Sequence, residues 1–404
     1  MEHQVIELVQ PRHTLIGEGS IQEIPRYLRR IQDNVTALVV TDQGLVKIGT
    51  VKKVTDELER AGIRYCLYDG VQPNPTVGIV NEAMDRYRRE NCSCIIAIGG
   101  GSPIDVAKAV SILAVNGGRI EDYVGVNKSA RPGAPIVAVN TTAGTGSEVT
   151  CAYVITDEVK NVKLVMMDPN CLAYLAIDDP TLMVGMPPAL TAAPGMAAHT
   201  HGVECYVCRE ATPYTDGLAL EAIRLVGTAL RRAVKNGGDM KARTDMCWAE
   251  YLAGLAFSNA GLGLGHSIAH QLGAQYHIPH GEACAQILPR VMEFNTPACR
   301  GRMGEIAKAL GADTSGLTEE EAAQLAADSV RDLCDDVGIR PIHACGFSMD
   351  DIGLLARNAM EDTCIPSNPV TPTAEEVERI IAKAYCEGLV VEAIRQQGVG
   401  RERT

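Results

Sequence analysis

Short apolar runs that alternate with amphipathic segments, and then cease, constrain this chain more than any other feature. Ala37-Leu38-Val39-Val40, Tyr65-Cys66-Leu67-Tyr68, Ile95-Ile96-Ala97-Ile98 and Ile136-Val137-Ala138-Val139 read as strands buried on both faces. Between them, Val51 to Ala61 and Val77 to Arg89 space their apolar residues as helices do. Strand alternating with helix predicts a parallel sheet covered on both sides. Three further β-rich runs follow, around Tyr153 to Thr156, Lys163 to Met167 and Ala173 to Ile177. After Asp178-Asp179-Pro180 the pattern changes. From Pro188 onward it is helical, in long segments such as Thr215 to Val234 and Ala242 to Phe257, and no alternating strand returns. A chain of 404 residues exceeds one core. Two domains are therefore expected, an α/β one before a boundary near residues 180 to 188 and an all-α one after it. No repeat, low-complexity stretch or flexible linker interrupts them, and the polar end from Gln396 to Thr404 is expected to fray.

The charge balance narrows the partners. A net charge of −13 argues against nucleic acid or an anionic membrane, because phosphate is bound through Lys and Arg. A small anionic substrate stays open, since local charge can oppose the global balance. Met1-Glu2-His3-Gln4 lacks the charged-then-apolar order of a leader. No apolar run approaches the roughly 20 residues that span a bilayer. Fourteen cysteines, scattered rather than framed for disulfides, then read as reduced thiols in a cytoplasm.

Ile95 to Ile98 runs directly into Gly99-Gly100-Gly101-Ser102, and the helical Pro103 to Val115 follows. Three glycines let backbone approach a pyrophosphate, and the start of the next helix offers unpaired amides at a positive dipole end. Pro103 suits that first turn. A plain strand-to-helix turn needs fewer glycines, so phosphate binding is the favoured reading. The fingerprint GxGxxG is absent here, and Gly17-Glu18-Gly19 does not complete it either, because Gln22 stands where the third glycine belongs. Asp42, ending the strand Leu38 to Thr41, can accept from ribose hydroxyls and repel a 2′-phosphate, which favours NAD over NADP; such residues also cap turns. The loop from Thr141 to Glu148 suits the polar rim of a cofactor cleft, and equally a turn with a helix cap.

Six of the nine histidines fall between residues 199 and 280. His266 and His270, four apart, share one helix face. His280 follows on a loop, and His201 lies on an earlier helix. Imidazoles converging from separate segments are what a transition-metal site requires. Spacing alone leaves separate hydrogen-bonded histidines equally open, and that plainer reading holds for His3, His13 and His343.

Several motifs, in order along nearly the whole chain, resemble the iron-activated (group III) alcohol dehydrogenases. They are Leu15 to Ser20, Pro73-Asn74-Pro75-Thr76, Gly99 to Asp105, Thr141 to Glu148, Asp178-Asp179-Pro180, Gly265 to Gly273 and Ile278-Pro279-His280-Gly281. The resemblance implies an α/β N-terminal dinucleotide-binding (Rossmann-like) domain over residues 1–183. It implies an all-α C-terminal metal and substrate domain over 184–404, with a cleft between the two. It places NAD phosphates on Gly99, Gly100, Gly101 and Ser102, ribose on Asp42, and further cofactor contacts on Asp105, Thr141, Thr142, Thr145 and Lys163. An Asp and three His normally hold Fe(II) or Zn(II) in such enzymes, and the matching histidines are His201, His266 and His280. His270 matches the residue beside nicotinamide and substrate, the expected proton relay, while Phe257 and Cys364 match the substrate pocket. A small alcohol or aldehyde is the implied partner, with a homodimer or larger homo-oligomer as the implied assembly.

One departure bears on the metal. The family's Gly-Met-Asp-Ala-Leu-Thr-His stands here as Gly195-Met196-Ala197-Ala198-His199-Thr200-His201, so Ala197 replaces the carboxylate ligand four residues before His201. His199, roughly 200° around the helix from position 197, is badly placed to substitute. Glu204, Cys205 and Cys284 lie one turn from His201 or His280 and are candidate replacements. Three outcomes follow: a three-histidine site completed by water, a site completed by one of those residues, or no metal at all. Val370 also stands where many relatives carry Arg. The expected activity is hydride transfer between nicotinamide and a small primary alcohol or aldehyde. The competing readings are a metal-independent aldehyde reductase and a catalytically silent NAD-binding relative. The sequence leaves the substrate open among ethanal, propanal, lactaldehyde, 3-hydroxypropanal and charged aldehydes such as sulfoacetaldehyde.

Overall fold

The computed structural model describes residues 5–160 and 162–396, with side chains as far as residue 389. His3 and the polar end 397–404 lie outside the described residues. The chain divides into two compact units, Met1–Gly185 and Met186–Thr404.

The first unit is built on strands β1 (His13–Ile16), β2 (Thr36–Val40), β3 (Arg64–Tyr68), β4 (Cys94–Gly99), β5 (Gly125–Val126), β6 (Ile136–Asn140), β7 (Ala152–Asp157), β8 (Val162–Met167) and β9 (Leu175–Asp178). Its helices are α1 (Ile24–Ile31), α2 (Gln43–Lys47), α3 (Thr50–Arg60), α4 (Val77–Arg89) and α5 (Gly101–Asn116). Six strands form one sheet in the order β1-β9-β6-β4-β2-β3, every neighbouring pair parallel. The two-residue period of a strand explains why its members are apolar throughout. Leu38, Val40, Ile95, Ala97, Ile136 and Ala138 point into a core shared with α4 and α5, whereas Ala37, Val39, Ile96, Ile98, Val137 and Val139 point into a core shared with α1 and α3. β5, β8 and β7 form a small second sheet in which β7 and β8 are antiparallel. The edge strand β1, paired with β9 at Leu15↔Ile177, was not anticipated: it is four residues long and only half-buried, so it carries little periodic signal.

The second unit contains α6 (Pro188–Val207), α7 (Pro213–Lys235), α8 (Met240–Asn259), α9 (Leu264–Tyr276), α10 (His280–Ala309), α11 (Glu319–Asp336), α12 (Ile352–Met360) and α13 (Ala374–Gln396), and no strand among the described residues. Helix α10 breaks at Cys299, where φ is −146° and ψ is 36°, two residues after Pro297. Two glycines permit the close packing that places the histidines. A Cβ on Gly195 of α6 would lie 2.3 Å from Leu230 of α7, and one on Gly281 would lie 1.9 Å from the Ala193 carbonyl oxygen. The start of α10 thus rests directly against the backbone of α6. Among the described residues, no helix is long and apolar enough to cross a membrane.

Candidate functional site

In the sheet unit the predicted cofactor residues gather where the strand order reverses. The chain passes from β2 outward to β3, then back to β4 on the other side of β2, which leaves a crevice at the carboxyl ends of β2 and β4. Asp42 follows β2, and Gly99 to Ser102 run from the last residue of β4 into the start of α5. Thr41 Oγ1 donates to the Ile98 carbonyl at 2.8 Å, and Thr141 N donates to the Gly99 carbonyl at 3.1 Å, so three strand ends are tied together. Gly99 has φ +154°, and a Cβ there would lie 2.4 Å from the Pro103 ring. A Cβ on Gly100 would lie 2.7 Å from Thr142 Oγ1. The turn is therefore glycine by necessity, and it opens the sixteen-residue α5 with its unpaired amides. That bare cradle at a helix start fits a pyrophosphate.

Asp42 caps α2, its Oδ1 accepting from Leu45 N at 2.9 Å. Thr142 N donates to Asn140 Oδ1 at 3.0 Å, and Thr145 Oγ1 accepts from Ser147 N at 3.3 Å, so local hydrogen bonds shape the threonine loop. Asp105 accepts from Ser147 Oγ at 2.9 Å with one oxygen and from Val154 N at 3.1 Å with the other. Burial pushes this carboxyl up, against the opposing pull of Lys108 and these hydrogen bonds. Its geometry is that of a loop anchor. Lys108, which sequence reasoning passed over, is buried one turn further along α5. Its Nζ donates to Ala152 O at 2.7 Å, Thr150 Oγ1 at 3.2 Å and Ser147 Oγ at 3.4 Å. A lone cation among Val106, Ala107, Ala109 and Val110 was the available signal. Lys163 Nζ donates to Asn74 Oδ1 at 2.6 Å, and its charge also acts on Asp105.

In the helical unit, His201 from α6, His266 from α9 and His280 from the start of α10 bring one ring nitrogen each within 4.8 Å of one another. Ring centroids are 4.8 Å apart for His201 and His266, and 5.3 Å for His266 and His280. Nitrogens on a tetrahedral ion sit roughly 3.4 Å apart, so a modest contraction would seat one. His201 and His266 are buried, and His266 Nε2 has no hydrogen-bond partner. A buried imidazole nitrogen left bare beside two other imidazoles fits a metal ligand. Phe257 of α8 lies beside this group, its ring 4.4 Å from that of His201.

Ala197, which stands where the carboxylate is missing, is buried, at 2% exposed. Among the described residues no other His, Cys, Asp or Glu ligand atom joins the three histidines. None of the candidate replacements brings a ligand atom to all three histidines. Glu204 is taken up by the start of α9, where it accepts from Gly265 N at 2.5 Å and lies 2.5 Å from His266 Nδ1. Cys284 lies 3.7 Å from His280 Nε2, and burial pushes its thiol well up. Cys205 is also pushed up, by its Cys208 neighbour and by burial. His199 is buried with neither nitrogen hydrogen-bonded, away from the group.

His270 stands beside the group, its ring 5.6 Å from His280 and 6.0 Å from His266. Its Nδ1 is 2.9 Å from Asp362 Oδ2, while Asp362 Oδ1 accepts from Cys364 N at 3.0 Å. Burial opposes the Asp362 charge, but the bonds from His270 and Cys364 outweigh it and hold the carboxyl below its usual range. An ionised Asp362 only accepts, so His270 Nδ1 donates to it and Nε2 is left to take a proton. Asp362 was missed because 92 residues separate it from His270 and no local pattern marks it.

Residues 11–180 match the family described as iron-containing alcohol dehydrogenase, and residues 191–385 match the C-terminal part of the Fe-containing alcohol dehydrogenase family. Alcohol dehydrogenase 4 of Schizosaccharomyces pombe is 44% identical, over 93% of this chain and 88% of its own. The NAD-dependent methanol dehydrogenase of Bacillus methanolicus is 42% identical, over 93% of this chain and 98% of its own. Among solved structures, a 1,3-propanediol oxidoreductase superposes with a TM-score of 0.93 at 40% identity, covering 94% of this chain and all of that one.

Proposed function

This chain belongs to the iron-containing alcohol dehydrogenase family and is an NAD-dependent alcohol dehydrogenase or aldehyde reductase, and on that footing we propose how its residues divide the work. The sheet unit holds NAD, with the pyrophosphate on the amides of Gly99 to Ser102 and the start of α5, and the adenine ribose on Asp42. Asp105, Lys108, Thr141, Thr142 and Thr145 shape the adjoining loop. The helical unit holds Fe(II) or Zn(II) through His201, His266 and His280. When bound, nicotinamide supplies the hydride acceptor or donor and the divalent ion supplies Lewis-acid polarisation of the substrate oxygen. His270 takes the alcohol proton at Nε2 and passes it to solvent, its ring held by Asp362. Phe257 and Cys364 border the small alcohol or aldehyde. A reducing, cytoplasmic setting suits the chain's fourteen scattered cysteines.

The observation that carries this reading is the convergence of three imidazoles around the bare, buried His266 Nε2. Elemental analysis of the purified protein, followed by NADH oxidation over a panel of short aldehydes with Fe(II) or Zn(II) added, tests it. Metal near one per chain and metal-dependent turnover are expected. Full turnover after stringent chelation would instead favour the metal-independent reductase, for which Ala197 is the specific observation. No turnover under any condition would leave the silent relative.

A further inference from the structure

Glu204 lies on α6 within one turn of His201 and is 2% exposed. Its Oε2 accepts from Gly263 N at 3.1 Å and His266 N at 3.3 Å and lies 2.5 Å from His266 Nδ1, and its Oε1 accepts from Gly265 N at 2.5 Å. The remaining amide of this stretch, Leu264 N, donates to Asn368 Oδ1 at 3.1 Å. Asn368 is itself buried and exchanges amide hydrogen bonds with Asn295 at 2.8 and 3.0 Å. The amides that open α9 have no partner within their own helix, and an anion there meets the positive end of the dipole. The glycines on either side of Leu264 make room for it. A Cβ on Gly265 would lie 2.7 Å from Glu204 Oε1, and one on Gly263 would lie 2.7 Å from Asn368 Oδ1 and 3.1 Å from Glu204 Oε1.

We propose that Glu204 is the positioning residue of the three-histidine site: by accepting the Nδ1 hydrogen of His266 it fixes the tautomer whose bare Nε2 turns toward His201 and His280. The inference rests on the metal reading above. Such a carboxylate also makes the imidazole a stronger donor to a dication. In a chain that carries Ala197 in place of the acidic ligand, Glu204 supplies negative charge to the site through the ring of His266.

The test pairs two variants with one measurement on the unaltered protein. Glu204→Gln keeps the shape but puts an N–H₂ group where the donors need an acceptor. Asn368→Ala removes a cap from the same helix start without touching His266. Zn(II) affinity, measured by competition with a chromophoric chelator, is expected to fall roughly 10- to 100-fold in Glu204→Gln. It should change by less than about twofold in Asn368→Ala, although both variants melt earlier. Equal losses in the two variants, or none in Glu204→Gln, would show that Glu204 is only a helix cap and overturn the proposal. Should Glu204→Gln fail to fold, ¹⁵N shifts of the imidazoles in the metal-free wild-type chain decide instead. A protonated Nδ1 and bare Nε2 at His266 are expected, and a protonated Nε2 overturns the proposal. If the wild-type chain binds no Zn(II) at all, the metal reading fails, and the proposal fails with it even where the tautomer is as expected.

Discussion

Replacing Ala197 by aspartate should make the stability of the helical unit depend on metal. Positions 197 and 201 lie one turn apart on α6, where side chains sit roughly 5–6 Å from each other, so the new carboxylate reaches the histidine group. Ala197 is 2% exposed. An unpaired charge in such a place costs about 3–5 kcal/mol. For a unit of this size each kcal/mol moves Tm by about 2–4 °C, so the chelated variant should melt roughly 6–20 °C below the parent. Metal at about 100 times its Kd returns about 2.7 kcal/mol, or roughly 5–11 °C. The parent, with one ligand fewer, should gain less at the same concentration. Scanning calorimetry of chelated and Zn(II)-loaded parent and variant reads all four values. A chelated variant within about 2 °C of the parent would show that position 197 does not face a dry ligand group. A destabilised variant that metal does not rescue would remove this helix face from the metal site.

Gly99→Ala forces φ +154° on an L residue and sets a Cβ 2.4 Å from the Pro103 ring, so α5 must shift; NADH binding by fluorescence titration should weaken about tenfold or more, and unchanged affinity would move the pyrophosphate off this turn. Asp42→Ser keeps a cap for Leu45 N but removes the charge that repels a 2′-phosphate. The NADPH-to-NADH ratio of kcat/KM should rise roughly tenfold, and a constant ratio would exclude Asp42 from the ribose. Glu293 bonds to Arg290 at 2.8 Å and also to Arg331; burial opposes its charge, but these partners hold the carboxyl below the usual range. A depressed folded pKa adds stability above the unfolded value of about 4.3 that is lost as pH falls through the folded one. Glu293→Gln should therefore lower Tm at neutral pH and flatten its fall below about pH 4.5, whereas parallel curves for parent and variant from pH 7 to 3 would refute the pairing.

The sheet was legible because a strand buried on both faces must be apolar at every position, as β2, β4 and β6 are. β1 was not, since a half-buried edge strand of four residues need not alternate. The long helices of the second unit announced themselves through length and spacing. His266 and His270 were readable as neighbours because four residues make one helical turn.

What the sequence determined by itself is the element pattern, the family and the set of residues able to do chemistry, since these depend on local periodicity and on motif order. Which of them meet was decided only by tertiary packing. Glu204, one turn from His201, offered itself as a metal ligand by spacing, yet it is turned to the amides at the start of α9. Asp362 carries no mark of its own, yet it meets His270 across 92 residues. A carboxylate's partner is chosen by whatever donors the fold leaves unpaired nearby, and those donors belong to distant segments that no local pattern encodes.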